Sequence, residues 1–265
     1  MSITINPISP VAFSVLGLDI RWYALAYIAA FVVGYWLVRR LTSSRTSVVS
    51  LTKQELDDLL TAIIIGVIVG GRLGYVLFYN FGYFLSHPVQ IFALWHGGMS
   101  FHGGLIGVIL SVFYYAHRHK KSALSLLDIL AVVAPIGLFF GRIANFINQE
   151  VMGRPTDLPW GIVFNGSSVI PRHPSPLYEA ATEGILLFII MYCLYKYTRL
   201  RRYPGALGGI MGMGYAIFRI LCEQFRAPDA HIGFLTTWGL TMGQLLSGIM
   251  FFAGLLIFIF AIRKK

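Results

Sequence analysis

In FFGRIANFINQE, residues 139–150, an apolar run takes up an arginine, two asparagines, a glutamine and a glutamate. Ionisable groups in such surroundings are costly unless paired or used, so they mark either a site or a structural ion pair. Two more arginines stand in comparable runs, Arg72 in VGGRLG (69–74) and Arg219 in YAIFRILCEQFR (215–226). A guanidinium keeps its charge when buried and offers a planar fork of donors that suits phosphate oxygens. Two readings stay open: a shared anion, with a lipid phosphate as the leading candidate, and internal pairing with Glu150, Glu179, Glu183 or Glu223.

The spacing around these arginines extends the pattern. Tyr215, Arg219, Glu223 and Arg226 are separated by four, four and three residues, which on a helix confines them to an arc of about 80°. Arg142 and Asn145 lie a turn apart, with Gln149 a further turn on. His102 opens an apolar segment and is followed by Gly103 and Gly104. An imidazole suits general-base work near neutral pH, and the glycines allow a substrate or another backbone to come close. A satisfied structural histidine is the alternative. In PRHPSPLYE (171–179), His173 leads into a helix for which Ser175 is a plausible N-cap, with Glu179 one turn in. Tyr23 is either a site residue or an aromatic of the membrane interface; His117 and His119 belong to a basic, solvated loop. P-loop, GxSxG and HExxH signatures are absent. Cys193 and Cys222 have no metal-like spacing. No metal and no cofactor is expected.

The elements that must position these groups follow from composition. The 265 residues are 57% hydrophobic and only 12% charged, with a mean hydropathy of +0.71. That leaves too little polar surface to coat a soluble globule, so the solvent is lipid. About 20 apolar residues span a bilayer as a helix, and windows of that kind fall near 19–38, 58–79, 101–116, 124–148, 176–195, 205–226 and 239–262. The expectation is an all-α integral membrane protein with seven transmembrane helices.

The net charge is +10, but the basic residues sit in short loops rather than on one face, which argues for topology and against nucleic acid. Arg39, Arg40, Arg45 and Lys53 follow the first helix, Arg118, Lys120 and Lys121 the third, Lys196, Arg199, Arg201 and Arg202 the fifth, and Arg263, Lys264 and Lys265 the seventh. The positive-inside rule makes these four places cytoplasmic, the N-terminus external and the C-terminus internal. The start of the chain does not read as a removable signal peptide. On this topology Arg72, Arg142 and Arg219 each lie roughly eight residues, about 12 Å, before an outer helix end. TKQE (52–55) resembles a capping box opening the second helix. The glycines of 69–74, 102–107 and 205–214 suit close helix packing. Outer segments 80–100 and 149–175 would form a small cap on a single polytopic domain, 1–265.

Four stretches together, GGMSFHGGLIG (97–107), GRIANFINQEVMGR (141–154), PRHPSPLYE (171–179) and YAIFRILCEQFRAPD (215–229), resemble the bacterial prolipoprotein diacylglyceryl transferases. The likeness is colinear from RWYAL (21–25) to the last helix, and the second stretch fits the family's G-R-x-x-N-F-x-N-x-E-x-x-G signature from Gly141 through Gly153. The resemblance implies a multi-pass inner-membrane enzyme of bacteria whose active site opens to the periplasm. It implies transfer of the diacylglyceryl group of phosphatidylglycerol to the lipobox cysteine of a preprolipoprotein signal peptide, forming a thioether and releasing glycerol phosphate. Carried over by motif, Arg142 binds the lipid phosphate, Arg219 supports it and His102 is the candidate base. Tyr23, Asn145, Glu150, Gly153, Tyr215 and Glu223 match positions associated with the site. In this reading Asn145 and Glu150 hold the Arg142 side chain. Arg72, His173, Glu179, Gly103 and Gly104 are expected to support it.

Two rival classes remain at this level. Buried arginines also describe an anion path through a transporter, which predicts inverted repeats that the chain lacks. A glycine-packed membrane scaffold leaves the arginines and His102 unexplained.

Overall fold

A computed structural model of the chain describes residues 3–43, 47–164, 169–228, 233–237 and 239–263. Arg45, Asp229, Lys264 and Lys265, used above, lie outside the described residues. Each expected apolar window holds a helix, within a few residues at its ends: α1 Trp22–Thr42, α2 Lys53–Phe78, α4 Phe101–Arg118, α5 Ala123–Ile147, the run α6 Ser175–Glu179 through α7 Leu187–Tyr197, α8 Ala206–Glu223 and α9 Met242–Arg263. A short α3, Phe81–Ser86, precedes two 3-10 turns, Pro88–Phe92 and Leu94–His96. Among the described residues six helical runs are long and apolar enough to cross a membrane. The exception is α4, which carries His102, Ser111, Tyr114, Tyr115, His117 and Arg118 within its eighteen residues.

The chain is mostly helical, as an all-α reading expects, and four short strands accompany the helices among the described residues. Strand β1 (Ile3–Ile5) pairs in parallel with β4 (Ile162–Phe164), and β2 (Val11–Val15) pairs antiparallel with β3 (Leu18–Arg21). These are three to five residues long, and short strands satisfy backbone groups that no helix there would satisfy. The β2–β3 turn places Leu16 and Gly17 in the left-handed region, φ 51° and 81°, as a two-residue hairpin turn requires.

The chain divides into two compact units, Met1–Val38 with Asp128–Lys265, and Arg39–Leu127. In the second, α2 and α4 cross on glycine. A Cβ on Gly66 would stand 2.5 Å from the Gly107 carbonyl oxygen, and one on Gly103 would stand 2.3 Å from that of Gly70. Only backbones without side chains approach this closely. Thr52 caps α2 as the TKQE motif predicts: its hydroxyl accepts from the Glu55 N–H at 3.2 Å, and its own N–H donates to the Glu55 carboxylate at 2.8 Å.

In the first unit, Gly209 of α8 and Gly254 of α9 meet in the same manner. Asp128 of α5, 2% exposed, fixes the start of α8 by accepting from the N–H groups of Gly205 (2.8 Å) and Gly208 (2.7 Å). A carboxylate at a helix N-terminus takes up donors that have no partner within the helix and complements the helix dipole. Between α6 and α7 the chain widens into a π-helix, Ala180–Leu186. Gly184 within it lies against Phe139 of α5, where a Cβ would be 2.7 Å from the phenylalanine Cβ. This close approach brings the carboxylates of Glu179 and Glu183 to α5.

Candidate active site

Arg142 lies near the C-terminal end of α5, its side chain 17% exposed. Its Nε is 2.9 Å from Glu179 Oε2, and its Nη2 donates to Glu183 Oε2 at 3.0 Å. On α8, Arg219 donates through Nη1 to Glu179 Oε1 at 2.6 Å and pairs through Nη2 with Glu223 Oε2 at 2.8 Å. Arg226 adds a third guanidinium, 3.5 Å from Glu179 Oε1. One carboxylate, Glu179, thus joins three cations, and both it and Glu183 are fully buried. The Glu223 carboxylate also accepts from the Thr241 hydroxyl at 2.9 Å, in space that Gly243 leaves open at the start of α9.

Internal pairing is therefore present, yet it leaves donors over. The contacts of Arg142 use its Nε and Nη2, while Nη1 has no partner among the described residues. Tyr215, one turn before Arg219 on α8, lies within electrostatic reach of both arginines and of Glu179 and Glu183. Buried Asn148 Oδ1 and Gln149 Nε2 also lack hydrogen-bond partners among the described residues.

Beside this cluster is a second one. The Tyr23 hydroxyl donates to Glu150 Oε2 at 2.7 Å, and Asn145 Nδ2 donates to the Tyr23 oxygen and, at 3.4 Å, to Glu150 Oε2. The expectation that Asn145 and Glu150 hold Arg142 is thus corrected: they hold each other and Tyr23, and Glu179 and Glu183 hold the arginine. The cause lies at the end of α5. Gln149 and Val151 both take φ 58°, and the Glu150 N–H bonds back to the Asn145 carbonyl at 2.9 Å. The turn carries the Glu150 carboxylate to Tyr23. A β-branched residue in the left-handed region is strained, and strain of this kind concentrates at functional sites.

Residues 151–154 and 172–175 brace the cluster. Gly153 pairs with Arg226 across an isolated bridge, and a Cβ there would be 2.4 Å from the His173 carbonyl oxygen and 2.7 Å from that of Phe225. Arg154 donates to the Arg226 carbonyl at 3.0 Å, and Arg172 donates to that of Gly153, also at 3.0 Å. Sequence reasoning passed over both arginines, because a charge in a polar loop does not stand out as one in an apolar run does. His173 packs edge-on against Phe225 at 5.1 Å with Nδ1 3.2 Å from the Tyr178 hydroxyl. Partial burial holds its imidazole below the usual histidine range. Ser175 is not the cap of α6; Pro174 holds that position, and the serine hydroxyl donates to the Val151 carbonyl at 2.8 Å.

Arg72, His102, Gly103 and Gly104 belong to the other unit. Arg72 is 5% exposed and spends all five donors on main-chain carbonyls: Gln90 (2.6 Å), Ile91 (2.8 Å), Ala93 (3.2 Å), Gly97 (2.6 Å) and Gly98 (3.1 Å). It braces the turns that lead into α4, so the expectation of one anion shared by three arginines narrows to Arg142 and Arg219. His102 is exposed in the first turn of α4, after Ser100, whose hydroxyl caps the helix by accepting from the Gly103 N–H at 3.2 Å. Gly103 and Gly104 face α2, so the close approach that they permit is of another backbone. No group of three or more histidines, cysteines, aspartates or glutamates fit to hold a metal occurs among the described residues.

The family model described as prolipoprotein diacylglyceryl transferase matches residues 10–260. The chain is similar to proteins named phosphatidylglycerol–prolipoprotein diacylglyceryl transferase from several bacteria. It is 51% identical to that of Methylocella silvestris over 261 residues, covering 97% of this chain and 95% of the relative. With that of Rhodospirillum rubrum it shares 49% identity, covering 97% and 94%. With that of Geobacter sulfurreducens it shares 48%, covering 97% of both.

Proposed function

The chain belongs to the prolipoprotein diacylglyceryl transferase family, and from that premise we propose that its arginine–glutamate cluster receives the phosphate of phosphatidylglycerol during transfer. The enzyme moves the diacylglyceryl group of phosphatidylglycerol onto a prolipoprotein, the first step of lipoprotein maturation. The acceptor is the thiol of a lipobox cysteine in the signal peptide. Sulfur attacks the glycerol carbon that carries the phosphate ester, the C–O bond breaks with both electrons passing to phosphate, and a thioether and glycerol phosphate result.

The observation that carries this reading is the half-used guanidinium of Arg142. One edge is locked by two buried carboxylates, and Nη1 has no partner among the described residues. The phosphate gains charge as the bond breaks, so a preoriented cation stabilises the transition state more than the bound lipid. Arg219, tied to Arg142 through Glu179, adds charge to the same side of the reaction. The cluster of Tyr23, Asn145 and Glu150 borders the lipid headgroup, and Tyr215 lines it. His102 is the candidate acceptor of the thiol proton. An ordinary cysteine is already a few per cent thiolate at neutral pH, and neighbouring cations raise that fraction.

The enzyme sits in the bacterial inner membrane with seven crossings, α4 among them, its N-terminus and site toward the periplasm and its C-terminus in the cytoplasm. The basic ends of α1, α4, α7 and α9 support this orientation. Segments 80–100 and 149–175 form a small periplasmic cap on one polytopic domain. The test of the site is turnover of phosphatidylglycerol with a cysteine peptide by folded Arg142 variants. Arg142→Ala should lower glycerol phosphate release by at least about 100-fold. Arg142→Lys should recover little, because a point charge cannot hold two carboxylates and a phosphate at once. Ordinary turnover by Arg142→Ala overturns the reading.

A further inference from the structure

The cluster holds three guanidiniums, Arg142, Arg219 and Arg226, and three buried carboxylates, Glu179, Glu183 and Glu223. Its formal charge is therefore zero before any substrate binds. A phosphodiester brings one more negative charge into a desolvated site. Excess buried charge is relieved either by a counter-ion or by a proton.

The carboxylates are not equally placed to accept that proton. Glu179 is shared by three arginines. Glu223 has Arg219 and the Thr241 hydroxyl. Glu179 Oε2 and Glu223 Oε2 lack well-angled hydrogen bonds but face guanidinium nitrogens at 2.9 and 2.8 Å. Glu183 Oε1 is buried and has neither a hydrogen bond nor an ion pair among the described residues, and the single cation bonded to Glu183 is Arg142 through Oε2. Arg142 is also the group that a lipid phosphate would engage, and a second anion on one guanidinium weakens its hold on the first. The titratable and charged groups facing Glu183 are Arg142 from α5, Arg219, Tyr215 and Cys222 from α8, and Glu179 from its own helix.

We propose that Glu183 takes up a proton from solvent when the anionic headgroup of phosphatidylglycerol binds to the Arg142 edge, so that the cluster stays neutral with its lipid in place. This rests on the functional reading above. It makes lipid affinity dependent on pH through a residue that need not touch the reacting carbon.

The test is calorimetry of short-chain phosphatidylglycerol binding to the purified full-length protein at neutral pH, in buffers of different ionisation heats. The wild-type protein should take up close to one proton per lipid, and affinity should weaken by up to about tenfold per pH unit where the uptake is complete. Glu183→Gln should bind the lipid with most of that uptake and pH dependence gone. Zwitterionic phosphatidylcholine brings no net charge and should cause no uptake by the wild type, a comparison that stands even if the variant does not fold. Phosphatidylglycerol binding without proton uptake, or equal uptake in Glu183→Gln, overturns this role for Glu183 and leaves the functional reading intact. Failure of the wild type to bind phosphatidylglycerol overturns both.

Discussion

Glu179 shows how one buried carboxylate can organise a cluster through the cations it joins. Its two oxygens tie Arg142 to Arg219, with Arg226 behind. Removing its charge leaves buried cations without their shared partner, a loss that costs about 3–5 kcal/mol in buried pairs. Glu179→Gln should therefore lower the thermal midpoint of the detergent-solubilised protein clearly; an unchanged midpoint would show that the carboxylate is dispensable. The sequence made Arg142 conspicuous because an arginine in an apolar run is costly unless it is paired or used. The choice of Glu179 and Glu183 as its partners was open among four glutamates, since contacts so far apart along the chain, such as Arg142 with Glu183 at 41 positions, leave no local spacing to read. The nearer Asn145 and Glu150 were favoured, and the left-handed turns at Gln149 and Val151 redirect them.

At the scale of elements, helix existence was readable from long apolar windows, and the three glycine clusters announced close packing. The short strands were not readable, because three to five residues do not establish a period and β1 finds its parallel partner β4 far along the chain. Nor was the π-helix at Ala180–Leu186, whose sequence is equally apolar for an α-helical winding. Close packing makes a sharp prediction about which glycines are replaceable. A Cβ on Gly107 would stand 2.0 Å from the Gly66 carbonyl oxygen, whereas one on Gly137 of α5 meets nothing within 4 Å. Gly107→Val should destabilise by at least about 1–3 kcal/mol through overpacking. Gly137→Ala should be neutral or stabilise by up to about 1 kcal/mol through helix propensity. Thermal unfolding of the two variants side by side decides it; equal midpoints would contradict the packing described for α2 and α4.

For the whole molecule, composition alone indicated a lipid solvent, and the distribution of Lys and Arg supplied an orientation. That orientation predicts that Arg118→Cys, in a Cys193→Ser background, resists a membrane-impermeant maleimide in intact cells and is labelled once the membrane is broken. Ser86→Cys should be labelled in intact cells, and the reverse pattern would invert the topology. What composition cannot convey is which carboxylates hold Arg142, which needs the geometry of Glu179 and Glu183. The proposed transfer joins a lipid carbon to a cysteine sulfur. Mass spectrometry of a lipobox peptide incubated with purified protein and phosphatidylglycerol tests it most directly, beside a peptide with serine in place of the cysteine. The cysteine peptide alone should gain one diacylglyceryl mass, with glycerol phosphate released. No gain by the cysteine peptide, from folded protein shown to bind the lipid, would contradict it.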